Sequence, residues 1–103
     1  MPDDANEEGM APPSSWFLYL IECRDGSIYT GIAKNVSARY AAHANGTGAR
    51  YTRMHPPARL LASREYPDRS SALKAECAVK KLSAQAKRRY ADEISGTPGE
   101  NRA

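Results

Sequence analysis

Between Trp16 and Cys23 both alternating sets of side chains are apolar, with Phe17, Tyr19, Ile21 and Cys23 on one and Trp16, Leu18 and Leu20 on the other. A strand with one face in water alternates apolar with polar residues, whereas one that is apolar on both faces has to be covered on both. This segment is therefore expected to be the central strand of a sheet with layers packed above and below it. A chain of 103 residues, seven of them proline and seven glycine, can build only one modest core around such a strand. The expected architecture is a single α+β domain, a small three-stranded antiparallel sheet flanked by helices.

Turn and cap chemistry supplies the other elements. Arg24-Asp25-Gly26-Ser27 reads as a hairpin turn in which Gly26 takes a positive φ, and residues 28–33 as the returning strand. Asn35 is suited to cap a helix in which Val36, Tyr40 and Ala44 recur at fourfold spacing until Asn45-Gly46 ends it. Residues 49–54 form a short basic and aromatic element whose type the pattern does not decide. Pro56-Pro57 then enforces an extended break before a third strand over 58–66. Asp68 or Ser70 can cap the next helix, on which Ala72, Leu73, Glu76, Val79, Lys80 and Ser83 share a broad face, and a second short helix is expected over about 84–94.

The first fifteen residues hold four acids, three prolines and no base, too little apolar surface to order themselves, and residues 95–103 read similarly. The expected division is an acidic disordered tail over 1–15, a folded domain over 16–94 and a flexible tail over 95–103. No apolar run approaches the roughly 20 residues that span a bilayer, and the basic-then-apolar layout of a secretory signal is missing. A soluble cytoplasmic protein, monomer or weak dimer, is expected. Cys23 and Cys77 lie in apolar contexts without CxxC spacing and read as reduced core residues.

The formal charge of +3 understates the domain, because without the tail's four acids only eight oppose fifteen bases, a balance of about +7. No carboxylate occurs between Asp25 and Glu65, a stretch that holds Lys34, Arg39, Arg50, Arg53, Arg59 and Arg64. Such one-signed surfaces favour a polyanion, since each phosphate neutralised releases counterions. Lys34, Arg50, Arg53, Lys80, Lys81, Lys87 and Arg88 are candidates for tracking a phosphate backbone, with Tyr51 available to stack on a base.

Arg39 and His43 stand one helical turn apart and project from one face, where a guanidinium fork can hold phosphate oxygens while an imidazole moves a proton near neutral pH. An isolated pair of this kind is ordinarily a solvated arginine and a surface histidine. Glu76 is more anomalous, because Ala72, Leu73 and Val79 flank it at helical spacing and a carboxylate placed there needs compensation. Lys80 at i+4 offers a plain ion pair; the functional reading is a single-carboxylate ligand for one hard divalent ion, Mg²⁺ or Mn²⁺, which keeps several waters. Tyr19 and Tyr29, taken alone, would be packing residues.

Taken in order, Trp16-Phe17-Leu18-Tyr19-Leu20-Ile21 and Asp25-Gly26-Ser27-Ile28-Tyr29-Thr30-Gly31 resemble the two signature motifs of the GIY-YIG nuclease superfamily, and the spacing to Arg39, His43 and Glu76 matches as well. The resemblance runs from about Trp16 to Leu82 and is closest to the small stand-alone members. It implies a metal-dependent endonuclease that hydrolyses phosphodiesters in DNA, in repair or processing, with Tyr19, Tyr29, Arg39, His43 and Glu76 as the catalytic set. Tyr19 would be the general base with a pKa lowered by cations or metal, His43 would accept its proton, Tyr29 would orient the phosphate or the base, and Glu76 would be the sole protein metal ligand. Gly31 would permit close approach of another backbone or of substrate. Only the tyrosines and the final glycine of the named motifs are kept, and the asparagine that many relatives carry after the metal-ligand helix has no counterpart at Ser83 or Gln85. A nucleic-acid-binding module without turnover is the alternative, and a protein partner that supplies specificity is left open.

The shared site sets a condition on the hairpin. A two-residue turn at Asp25-Gly26 would put Tyr19 and Tyr29 on opposite faces of the sheet, whereas a three-residue or bulged turn, expected to pair Cys23 with Tyr29, puts both on the face of Ile21, with both hydroxyls expected to face Arg39, His43 and Glu76 across one cleft.

Overall fold

The computed structural model describes residues 13–95. In chain order the elements are β1 (Trp16–Cys23), β2 (Ile28–Ala33), α1 (Val36–Ala44), α2 (Arg50–Met54), β3 (Pro57–Tyr66), α3 (Arg69–Lys80) and α4 (Ala84–Ser95). The sheet is antiparallel in the order β2-β1-β3, so the doubly apolar strand is the central one, as its pattern requires. The undecided element over 49–54 is a helix of five residues.

The two faces of β1 serve two separate cores. Leu18 and Leu20 pack with Ile28 and Val79, and with Ala75, Tyr90 and Ile94 from α3 and α4. Tyr19, Ile21 and Cys23 face the other way, packing with Ala33, Tyr29 and, from α1, Val36 and Tyr40. Strand alternation sends odd and even residues of β1 to opposite sides, which is why one strand can nucleate both layers.

The hairpin turn is Arg24-Asp25-Gly26, closed by the Cys23 amide donating to the Ser27 carbonyl at 2.8 Å, with Gly26 at φ +89°. Cys23 thus faces Ser27, and Tyr29 pairs with Ile21, not with Cys23 as expected. The expected pair was two residues out of register, and because side chains repeat every two residues the face was still right. Asp25 stabilises the turn by accepting from the Ser27 amide and hydroxyl, bonds that hold its carboxyl well below the usual range.

The side-chain oxygen of Asn35 caps α1 by accepting from the Ala38 amide, and Asp68, rather than Ser70, caps α3 through the Ser71 amide. Helix α3 ends before Ser83, whose hydroxyl instead accepts from the Ala86 amide in the first turn of α4. Cys23 is buried but Cys77 is exposed, because it lies on the outer side of α3, away from Ala72 and Val79; neither is in a disulfide. Ser15, assigned to the tail from its composition, is buried and donates to Glu65 at 2.6 Å, and α4 runs to Ser95. Tail residues 1–12 and 96–103 lie outside the described residues. No helix among the described residues is long and apolar enough to cross a membrane.

Candidate active site

The even-odd register of β1 and β2 places Tyr19, Ile21, Tyr29 and Gly31 on one face, with Tyr19 opposite Gly31. Helix α1 crosses this face with Val36 and Tyr40 against it, and His43, one turn beyond Tyr40, is carried inward with them. His43 is only 1% exposed, so it is no surface histidine. The Tyr19 hydroxyl lies 2.9 Å from His43 Nε2. Tyr29 closes the group, its ring centroid 4.9 Å from that of His43 and 6.2 Å from that of Tyr19. A methyl group at Gly31 would sit 2.6 Å from the Tyr19 hydroxyl. What approaches Gly31 closely is therefore the Tyr19 side chain itself, and the glycine makes room for the phenol.

The electrostatics differ from what a standing phenolate base needs. Burial, and next the neighbouring Tyr29 phenol, push Tyr19 up to about 12, outweighing the Arg39 guanidinium that draws it down. Burial, and then Arg39, hold His43 below its ordinary 6.5. Near neutral pH the pair is thus a protonated phenol beside a neutral imidazole, because without a metal the burial of Tyr19 outweighs the Arg39 guanidinium. A neutral imidazole can still take the phenol's proton at the moment the phenol takes another.

Two residues that the sequence did not single out complete the setting. Thr52, on α2 and 2% exposed, has its hydroxyl oxygen 2.7 Å from His43 Nδ1 and 2.9 Å from the Ala49 carbonyl. Gly48 lies so close over the His43 ring that a Cβ there would strike Nδ1. A threonine inside a basic, exposed-looking stretch gives no sequence signal for burial, whereas the Gly46-Thr47-Gly48 run at least marks a place suited to close approach of the backbone. Outward from Tyr29, Tyr51 (5.8 Å between centroids) and His55, stacked on Tyr51 at 4.3 Å, extend the aromatic row to the surface.

Arg39 is exposed and, with Lys34, Asn35 and Trp16, lines a hollow of about 400 Å³ beside the start of α1. Arg50 and Arg53 are exposed on α2 on either side of Tyr51. Glu76, Lys80 and Lys81 belong to α3 and its C-cap, on the opposite face of the sheet, so the structure does not gather all the candidate basic residues onto one layer. Arg88 is occupied elsewhere, bonding Glu22 at 2.5 Å and the Gly26 carbonyl at 2.8 Å, while Arg59 takes the other Glu22 oxygen at 2.6 Å. This cluster ties α4 to the hairpin turn and β3. The Glu76 side chain is 16% exposed, and Oε2 pairs with Lys80 Nζ at 3.3 Å. The described residues contain no cluster of three or more His, Cys, Asp or Glu able to hold a metal. The donor set fits an ion that takes one carboxylate oxygen and keeps its waters, and does not fit a multi-ligand site.

Residues 15–91 match the family model described as the GIY-YIG catalytic domain. The chain is 58% identical over 67 residues to the UPF0213 protein XAC3202 of Xanthomonas axonopodis pv. citri, covering 65% of this chain and 66% of that one. It is 44% identical over 88 residues to the UPF0213 protein H16_B0156 of Cupriavidus necator, covering 85% and 96%. Among solved structures it is similar to the solution NMR structure of the UPF0213 protein BH0048 from Bacillus halodurans, with 39% identity, 86% and 94% of the chains covered and a TM-score of 0.52. The solution NMR structure of EF2693 from E. faecalis is 36% identical, covers 82% and 90%, and has a TM-score of 0.56.

Proposed function

Because this chain belongs to the GIY-YIG family and is related to its UPF0213 proteins, we propose that it is an endonuclease that hydrolyses DNA phosphodiester bonds with a divalent metal, in DNA repair or processing. The observation that supports this most is the 2.9 Å contact from the Tyr19 hydroxyl to His43 Nε2, in a pocket that Tyr29 closes and beside which Arg39 is exposed. A water attacking phosphorus gives a proton to the Tyr19 oxygen as the Tyr19 proton passes to Nε2. A new P–O bond forms, the bond to the leaving oxygen breaks, and that oxygen takes a proton from solvent. Arg39 presents its fork to the non-bridging oxygens as charge builds there. Glu76 would hold one Mg²⁺ or Mn²⁺, which supplies Lewis-acid polarisation of the phosphate and neutralises charge on the leaving oxygen. Helices α1 and α3 both pack against the edge strand β2, so Glu76 and the tyrosine face would meet a common phosphate at that edge.

The reading without turnover draws on the Glu76–Lys80 ion pair, which compensates the carboxylate without a metal. A panel of labelled DNAs (single strand, duplex, flap and junction, with an RNA control) incubated with Mg²⁺, Mn²⁺ or chelator separates the two. Metal-dependent cutting that Tyr19→Phe loses is expected. Binding without cutting, or full cutting by Tyr19→Phe, would leave the enzyme reading untenable.

A further inference from the structure

The hydrogen-bond directions around His43 follow from Thr52. A carbonyl oxygen only accepts, so the single hydroxyl proton of Thr52 must lie in its 2.9 Å contact with the Ala49 carbonyl, the back-bond to i−3 that threonine makes in helices. The 2.7 Å contact to His43 Nδ1 then meets a lone pair on the Thr52 oxygen, and Nδ1 has to carry the hydrogen. A neutral imidazole protonated at Nδ1 is bare at Nε2, the atom 2.9 Å from the Tyr19 hydroxyl. One contact points the other way, the Ala49 amide donating towards Nδ1 at 3.4 Å. That length is at the outer limit for an amide donor, whereas two oxygens 2.9 Å apart without a proton between them repel, so the shorter contacts govern.

We infer that Thr52 is a positioning residue that holds His43 in the Nδ1–H tautomer and so leaves Nε2 bare to receive the Tyr19 proton. At 2% exposure Thr52 leaves no room for water to take over its role, and Gly48 brings the loop onto the ring so that the imidazole has no other seat. The catalytic meaning rests on the proton relay proposed above; the tautomer is a property of the resting protein and can be read without any substrate.

Long-range ¹H–¹⁵N spectra recorded above the His43 pKa should show the wild-type imidazole protonated at Nδ1. In Thr52→Val the only hydrogen-bonding neighbour left to Nδ1 among the described residues is the Ala49 amide, a donor, so the hydrogen should move to Nε2 in most molecules, and Thr52→Ser should restore Nδ1–H. On a DNA that the wild type cuts, Thr52→Val should lower kcat ~10- to 100-fold at unchanged KM, with recovery in Thr52→Ser. A wild-type ring protonated at Nε2, or a folded Thr52→Val that keeps either the tautomer or kcat, overturns the inference. If the spectra behave as expected while the wild type cuts no DNA, the nuclease reading fails and the assignment of Thr52 to the His43 tautomer stands.

Discussion

Thr30 lies between Tyr29 and Gly31 yet does nothing for the site, because alternation turns it to the opposite face, paired with Leu20. It is 2% exposed, and its hydroxyl has no hydrogen-bond partner among the described residues. Replacing such a group with a methyl of the same shape removes a desolvation cost: Thr30→Val should raise unfolding stability by ~1 kcal/mol with cleavage unchanged. Urea unfolding measures this, and a less stable variant would mean that the hydroxyl has a partner. His43 gives the opposite case, a polar residue whose burial is useful. Its folded pKa lies below 6.5 owing to burial and to Arg39, and the Tyr19 and Tyr29 rings and the Thr52 hydroxyl also face it. As pH falls through 6.5 the unfolded chain takes up a proton that the native state resists, so the stability contributed by neutral His43 is whole above that value and declines below it. Between about pH 7.5 and about pH 5.5 the wild type should therefore lose more stability than His43→Gln. The acid limb of kcat/KM should have its midpoint below pH 6.5, at the lowered pKa where the native imidazole takes up a proton and can no longer accept one. Equal stability loss in the two proteins would show that His43 is not held neutral.

Helix α2 has five residues, far too short to be stable by itself. It is held from outside. The Thr52 hydroxyl fixes its inner side to His43, and the Arg24 amide, donating to the Pro56 carbonyl at 2.8 Å, ties the chain leaving it to the hairpin turn. His55, at its C-cap, reaches Asp25 of the same turn. The consequence is that α2 presents Tyr51 next to Tyr29 with Arg50 and Arg53 exposed beside it. If each arginine meets a phosphate, Arg50→Ala and Arg53→Ala should each reduce the magnitude of the log K against log salt slope for DNA by about one. Fluorescence anisotropy across a salt series measures the slope, and one that does not change takes that arginine off the interface.

Across the whole molecule the central strand separates two layers, the Tyr19–His43 pair on one and the metal-ligand candidate Glu76 on the other. Glu76 is attached to the fold mainly through Lys80, whose side chain is 55% exposed, and an i,i+4 pair of this kind contributes at most ~0.5 kcal/mol. Glu76→Ala should therefore abolish metal-dependent cleavage while DNA binding and the melting temperature stay close to wild type. A variant that loses stability and binding together would mark Glu76 as a structural ion pair.

The doubly apolar pattern of β1, the turn at Gly26 and the caps at Asn35 and Asp68 are local signals, and from them the sheet, its central strand and the order of helices were readable in the sequence; of the five candidate residues, the fold brings Tyr19, Tyr29, Arg39 and His43 together and carries Glu76 on α3, across the sheet from them. Parity also survived a register error of two residues, because side-chain direction depends only on odd or even. Three things depended on long-range packing and could not be read from spacing. The protonation order of Tyr19 and His43 is set by burial, a property of the assembled layers. The role of Thr52 comes from a loop and a short helix folding over α1, and no local pattern encodes that approach. The exposure of Cys77 depended on which side of α3 met the sheet, a choice that Ala72 and Val79 make only once Leu18 and Leu20 are there to receive them.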